Sequence, residues 1–293
     1  MDYRQLYAKT QELAATAQVI GALGAELRLR QTGREGDPRV RGALRAIVTE
    51  LAGPGAIDGL EPGQMATIVG QLTYALQEAL DLMRDPERAP GWTYIDPVIL
   101  QERGRGSRAG ATNFRNMAET RPALRAILED DCRFLDVGIG AAWLSIQAAQ
   151  YWPRMRIVGL DILEPALTLA EANIAEHGLH ERIALRRQSI TELDDEAAYN
   201  LAWLPSMFLP VEAVDEALPR VARALVPGGM LVLGMFAAAP GPHGATVRDL
   251  LTIRSGGHPW GIPEIEARLT GAGFRDLEFV NAGSTTCVML ATR

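Results

Sequence analysis

Phe134-Leu-Asp-Val-Gly-Ile-Gly-Ala-Ala-Trp143 is the stretch that decides the fold. An apolar run ends in an acid, Asp136, and a Gly-x-Gly turn then opens into a helical pattern over Ala141–Tyr151. Gly138 and Gly140 let the backbone take positive φ and approach a ligand closely. The helix beyond them points its free N–H groups and the positive end of its dipole at the turn. A Gly-x-Gly by itself also fits a plain tight turn. The next strand candidate, Arg156–Asp161, again ends in an acid. An acid in that place can accept hydrogen bonds from both hydroxyls of a ribose. Asp161 followed by Glu164 also fits a helix capping box, and the two roles are compatible. The two acids together point to a nucleoside.

Outward from this stretch, apolar runs alternate with helical patterns. The further strand candidates are Ile183–Gln188, Asn200–Leu204 and Gly229–Met235, with helices over Glu164–Glu176 and Val211–Leu225. Such alternation predicts a parallel sheet covered on both faces. Phe274–Val280 and Thr285–Ala291 follow with only the short Asn281–Ser284 segment between them, which reads as a hairpin. The first ~120 residues carry helical periodicity instead. Their apolar positions fall at Leu6 to Leu27, Val40 to Leu51 and Met65 to Met83, with shorter helices near Pro97–Leu100 and Asn113–Glu119. The expected fold class is therefore α/β. It is a Rossmann-like, mostly parallel seven-stranded sheet with a C-terminal antiparallel hairpin, behind an N-terminal all-α domain. The expected division is residues 1–118 for the helical domain, with a capping, dimerising or substrate-enclosing role, and 119–293 for the α/β domain.

Composition narrows the function. The chain has 293 residues, 47% hydrophobic and 22% charged, which excludes disorder for its bulk. Its net charge of −7 argues against binding a phosphate backbone, so no nucleic-acid partner is expected. The longest apolar run, Met230–Ala239, is about half of the ~20 residues a membrane span needs. With no signal-peptide pattern either, a cytoplasmic protein without a membrane partner is expected. Cys132 and Cys287 read as buried small hydrophobes in a reducing compartment. Any homodimer is expected to form through the N-terminal helices.

The choice of nucleoside rests on two residues. A dinucleotide turn expects Gly-x-Gly-x-x-Gly, whereas Trp143 stands at the third position, where a bulky side chain hinders tight helix–sheet packing. Asp136, two residues before the first glycine, is better explained by a cationic ligand. On these motifs residues 120–293 resemble the class I S-adenosylmethionine (SAM)-dependent methyltransferases of small-molecule type. Asp136-x-Gly138-x-Gly140 resembles the family's first motif, with Ala142 where a third glycine is frequent. The resemblance implies SAM as the cofactor. It implies that Asp136 faces the amino or sulfonium end, that Asp161 and its neighbour Ile162 border the ribose, and that Gln188, Ser189 and Ile190 lie against the adenine. Many members carry an Asp there, where this chain offers Gln188 or Ser189. Tyr199–Pro205 resembles the fourth strand and its motif, which brings Trp203 to the cofactor, and Leu225–Leu233 resembles the Pro-Gly-Gly turn into the fifth strand.

The segment after the fourth strand, Trp203-Leu-Pro-Ser-Met-Phe-Leu-Pro210, lacks the Asn-Pro-Pro-aromatic sequence of relatives that methylate the amino groups of bases and glutamines. Met207 and Phe208 suggest an apolar or aromatic small-molecule substrate, though ordinary core packing explains them as well. Asn113-Phe114-x-x-Met117 is faintly similar to a segment of small-molecule O-methyltransferases. Tyr94, Phe114 and Met117 are therefore further substrate-binding candidates, against the plainer reading of helix packing at a domain junction. The Arg103, Arg105 and Arg108 cluster reads as a solvated face that could meet a substrate carboxylate. His177 and His180 end a helix, where a cation favours the dipole. His258, in Arg254-Ser-Gly-Gly-His-Pro-Trp260, is the candidate catalytic base, with His243 second; catalysis by proximity alone is the competing expectation. No pair has His-x-x-x-His spacing, so no metal is expected. Methyl transfer to a small, partly apolar metabolite, with O-methylation favoured over N or C, is the function expected. An NAD-dependent oxidoreductase and an inactive SAM-fold partner module are the alternatives.

Overall fold

A computed structural model describes residues 1–92, 95–281 and 285–293, without the side chain of Arg103. The chain divides into two compact units, Met1–Glu87 and Arg88–Arg293. In the first unit the apolar positions form three helices, α1 (Tyr3–Thr32), α2 (Pro38–Ala52) and α3 (Pro62–Arg84). Asp2 starts α1 with a capping box, and Gly33, in the left-handed region, ends it. Leu27, Met65 and Val69 make a small core. Glu26 is buried beside it among Arg30 (3.1 Å), Arg41 (3.8 Å) and Arg45 (3.5 Å), which is how a carboxylate can lie inside so small a helical unit.

The second unit is the expected sheet. Its strands are β1 (Arg133–Val137), β2 (Arg156–Asp161), β3 (Ile183–Arg187), β4 (Tyr199–Pro205), β5 (Leu225–Phe236), β6 (Arg275–Val280) and β7 (Thr286–Thr292), ordered β3-β2-β1-β4-β5-β7-β6. The first five run parallel and β7 lies antiparallel to both β5 and β6. The order reverses between β1 and β4, and open α/β sheets bind ligands in the crevice at the carboxyl ends of strands at such a switch point.

Alternate residues feed two cores. Phe134 and Leu201 face α5 (Arg108–Thr120), α6 (Pro122–Glu129) and α7 (Trp143–Tyr151). Leu135, Leu204 and Leu233 face α9 (Val211–Ala224) and α11 (Ile262–Gly271). The remaining helices are α4 (Pro97–Gly106), α8 (Glu164–Glu176) and α10 (Gly244–Arg254).

Three sequence expectations need correction. Helices α4 and α5 belong to the sheet unit rather than to the helical domain ending at residue 118. Phe114, Met117, Leu124 and Leu128 are packed into the sheet's own core, and a helix that buries its apolar face there cannot also serve a separate unit. The Gly- and Arg-rich stretch 103–110, which falls between the helices expected near Pro97–Leu100 and Asn113–Glu119, is itself helical apart from the junction at Ser107. Helix α7 begins at Trp143, not Ala141, because Ala142 sits in the left-handed region (φ 67°).

Candidate active site

The Gly-rich turn after β1 is built as its sequence suggests. Gly138 and Gly140 have φ of 67° and 56°. A side chain at Gly138 would be strained by that φ and would meet Pro205 at 3.6 Å. Ala142 occupies the third left-handed position, which costs an L-residue roughly 1–2 kcal/mol. Ala142→Gly is accordingly expected to raise stability by about 1 kcal/mol, a Tm increase of roughly 2–4 °C. A thermal scan showing a decrease would count against strain at this position.

Asp161, at the end of β2, holds the turn from one side. Its Oδ2 accepts from the Gly140 amide and its Oδ1 from the Leu163 amide, each at 2.9 Å. Its own carbonyl accepts from Gln188 N at 3.0 Å. Burial raises its pKa, and the N–H donors of Leu163, Gly140 and Ile162 oppose the rise. On the other side Asn173 Nδ2 donates to the Ala141 carbonyl (2.9 Å) and to Gln101 Oε1 (3.0 Å). Gln101 Nε2 returns a bond to Asn173 Oδ1 (2.8 Å), and Trp143 Nε1 donates to Gln101 Oε1 (3.2 Å). Trp143 is thus turned towards α4 and packs against the guanidinium of Arg108, 3.8 Å from the ring centroid. The Arg105 and Arg108 pair is therefore not simply a solvated face, since burial lowers the Arg108 pKa.

Asp136 is 2% exposed. Ser145 Oγ donates to its Oδ2 at 2.6 Å, and among the described residues no cation pairs with it. Burial pushes its carboxyl up to about 7, opposed by the Ser145 bond and aided by the charge of Asp161. A buried acid with only a hydroxyl partner, beside a glycine cradle, suits a ligand that brings its own positive charge. Ile162 is a large apolar residue left 63% exposed beside Asp161. Ile190 is buried, whereas the polar side chains before it are turned to local groups. Gln188 Nε2 donates to the Glu192 carbonyl (3.0 Å), and Ser189 Oγ caps the 3-10 turn 190–192, accepting from Thr191 N. Trp203 pairs in register with Asp136 and lies on Gly234, where an added Cβ would stand 2.2 Å from the indole ring.

The acceptor candidates separate into two groups. Met207 and Phe208 form the short 3-10 turn Ser206–Phe208 after β4. Phe208 stands edge-on to Trp92 (5.3 Å) and to Phe236 (5.6 Å). Gly257 lies directly on the Met207 backbone, which brings His258 to the same region. His258 Nε2 is 3.4 Å from Glu264 Oε2, and its ring centroid is 4.5 Å from that of Trp260. Phe114 and Met117 instead lie in the core, with Phe114 edge-on to Phe134 (6.0 Å) and Trp203 (5.9 Å), so packing and not substrate contact explains them. Tyr94 lies outside the described residues. His243 is exposed at the start of α10, and His177 binds the Asn173 carbonyl through Nδ1 at 2.8 Å, the helix-end role expected of it. Among the described residues no cluster of ligands could hold a metal, and no helix is long and apolar enough to cross a membrane.

Sequence reasoning missed Ser145, Asn173 and Gln101. Ser145 had a signal, a lone hydroxyl in the apolar helix Trp143–Tyr151, whereas Gln101 and Asn173 stand in helices where polar residues are ordinary.

The family described as "Methyltransferase domain" matches residues 134–229, from β1 through the turn into β5. With that match on the cradle just described, the assignment is made. Residues 134–229 carry a methyltransferase domain of the class I SAM-dependent kind. The chain is 33% identical over 172 residues to the ribosomal protein uL3 glutamine methyltransferase of Bordetella pertussis, covering 55% of this chain and 54% of that one. It spans about half the length of that curated relative. Its fold is that of human N-acetylserotonin methyltransferase, solved in complex with SAM (TM-score 0.65, 15% identity, 100% and 99% of the two chains). It is also that of an O-methyltransferase family protein from Burkholderia thailandensis (TM-score 0.60, 13% identity, 100% and 98%). SAM is the cofactor that goes with this family.

Proposed function

We propose that the methyltransferase moves a methyl group from SAM to a small, partly apolar metabolite, with oxygen the favoured acceptor. The observation that carries this reading is the turn after β4. Where amino-methylating relatives use Asn-Pro-Pro-aromatic, this chain has Trp203-Leu-Pro-Ser, and the flanking surface is aromatic, with Phe208 between Trp92 and Phe236. The identity to a uL3 glutamine methyltransferase favours a second reading, transfer to a protein glutamine. Labelled SAM offered to a metabolite library and, separately, to ribosomal protein decides between them. Label confined to protein would sink the first reading.

Bound SAM supplies a methyl already activated on a sulfonium. Asp136 would set its carboxylate towards the cationic end, Asp161 and its neighbour Ile162 would border the ribose, and Ile190 would lie against the adenine. The chain's remaining task is to hold the acceptor in line, and proximity of that kind supplies much of a displacement's rate. His258→Ala is therefore expected to lower turnover by less than about tenfold near pH 7.5. A loss of roughly 100-fold or more, with SAM affinity intact, would instead assign His258 as general base.

The raised pKa of Asp136 gives this reading a pH signature. Between the ordinary carboxyl value and about 7, the folded chain keeps a proton that the unfolded chain has released. Stability without cofactor therefore falls as pH rises through that window and levels off above it. A cationic ligand favours the ionised acid, so SAM affinity should rise with pH up to about 7, by at most about tenfold per unit. Asp136→Asn should flatten both profiles. Calorimetry from pH 5 to pH 8 checks this, and a parent profile already flat would refute a proton-linked Asp136.

A further inference from the structure

The first turn of α7 holds a polar residue where the rest of its buried surface is apolar. Trp143, Leu144, Ile146, Ala148 and Ala149 are buried in that helix, and Ser145 among them is fully buried. A serine inside a helix ordinarily turns its hydroxyl to the carbonyl four residues back. Here that carbonyl belongs to Ala141, and it already accepts from Asn173 Nδ2 at 2.9 Å. The Ser145 hydroxyl points to the sheet instead. It donates to Asp136 Oδ2 at 2.6 Å, the length of a charge-assisted bond.

That bond occupies one edge of the carboxyl group. The other oxygen, Oδ1, has no partner among the described residues, yet it is not one of the sealed, unpartnered atoms of the interior. The small part of Asp136 that solvent reaches therefore includes Oδ1. The flanking strands β2 and β4 set Gly159 and Trp203 in register with Asp136, and neither carries a charge. Burial disfavours the ionised acid most, the Ser145 bond opposes burial, and the like charge of Asp161 at the end of β2 adds to it. Without the hydroxyl the acid would hold its proton still more firmly, and a neutral carboxyl attracts no cation.

We infer that Ser145 is a positioning residue of the cofactor site, whose hydroxyl fixes one oxygen of Asp136 so that the other is presented to the cationic end of SAM. The inference rests on the reading that sets Asp136 against that end, and it adds the residue that readies the acid. Ser145 acts through the acid and not by contact with the cofactor.

SAM binding followed calorimetrically from pH 6 to pH 8.5 separates this role from packing. Ser145→Ala removes one oxygen atom and installs a better helix former, so the variant is expected to fold. Its Asp136 loses a hydrogen bond to the charged form, and at pH 6 it must release a more tightly held proton before SAM binds. Its affinity should be about tenfold below the parent's at pH 6, narrowing to about threefold or less at pH 8.5, where the acid is largely ionised in both. The titration of SAM itself is common to both proteins and cancels in the ratio. Ser145→Cys keeps a weak donor and should fall between alanine and the parent at pH 6. In an Asp136→Asn background, where that position no longer titrates, Ser145→Ala should change affinity by less than about twofold at either pH. A packing defect would lower affinity by a factor independent of pH. Such a constant factor, unaltered affinity in both Ser145 variants, or an equal loss with and without the Asp136 carboxylate would each overturn the inference. If Asp136→Asn binds SAM like the parent at both pH values, the placement of Asp136 falls with it. A weakened Asp136→Asn beside unaffected Ser145 variants removes the role of Ser145 alone.

Discussion

Gly159→Ala is expected to cost about 1–3 kcal/mol of stability and to weaken SAM binding more than tenfold. Gly159 is the middle of β2, and a Cβ there would stand 2.0 Å from Ile139 Cδ1 and 2.9 Å from its Cβ. Rotating Ile139 relieves the first overlap but not the second, because Cβ moves only with the backbone. That backbone is the Gly138–Gly140 turn itself, tied to β2 by Ile139 N donating to the Leu160 carbonyl at 2.9 Å. The added methyl group thus pushes on the cradle from behind. Thermal unfolding and SAM calorimetry on the purified variant check the two effects. Ile139→Ala in the same chain removes the Cδ1 overlap and keeps Cβ, so it should recover part of the stability and little of the SAM affinity, and the double-mutant cycle in stability should show coupling above about 0.5 kcal/mol. Additive effects would mean that the two residues do not meet.

Asp161→Ala is expected to weaken SAM binding by about 1.5–3 kcal/mol, or roughly 10- to 150-fold. Part of this is the proposed contact with ribose. The rest is structural, because the Gly140 and Leu163 amides lose their acceptor together. Asp161→Asn keeps one acceptor oxygen and should fall between alanine and the parent. If the alanine variant folds and binds SAM like the parent, the nucleoside pocket is not at the end of β2.

The cradle was legible because its requirements are local. A turn with positive φ needs glycine, and each acid is visible as the last residue of its own apolar run, Asp136 beside the turn and Asp161 at the end of β2. Ala142 shows the limit of that logic, since a left-handed residue without glycine carries no sequence signal. The seven strands were likewise visible as apolar runs, apart from their ends, where Gln188 belongs to the turn after β3 rather than to the strand. The helices α4 and α5 were placed in the wrong unit because amphipathic periodicity shows that a helix has a buried face but not what covers it. Least legible was the concavity that Met207, Phe236, Trp260 and Cys287 line together. Its walls are brought together by the antiparallel return of β7 against β5, Cys287 opposite Met235, and no spacing along the chain encodes that meeting.

The sheet ends in two edge strands, β3 and β6, each paired on one side only. Exposed edges of this kind recruit further strands unless something discourages them. Here Arg186 and Arg187 occupy the end of β3, and Arg275, Asp276 and Glu278 stud β6. Glu278 is clamped to Arg121 by a two-pronged ion pair, 2.6 Å at its shortest, and the backbone of β6 is irregular at Asp276, with φ of 52°. A neighbouring molecule extending the ladder at β6 would have to strip water from these charges and match a bent strand. Both borders of the sheet are therefore ill suited to accept a further strand, and a concentrated solution can hold the protein without its sheets joining edge to edge.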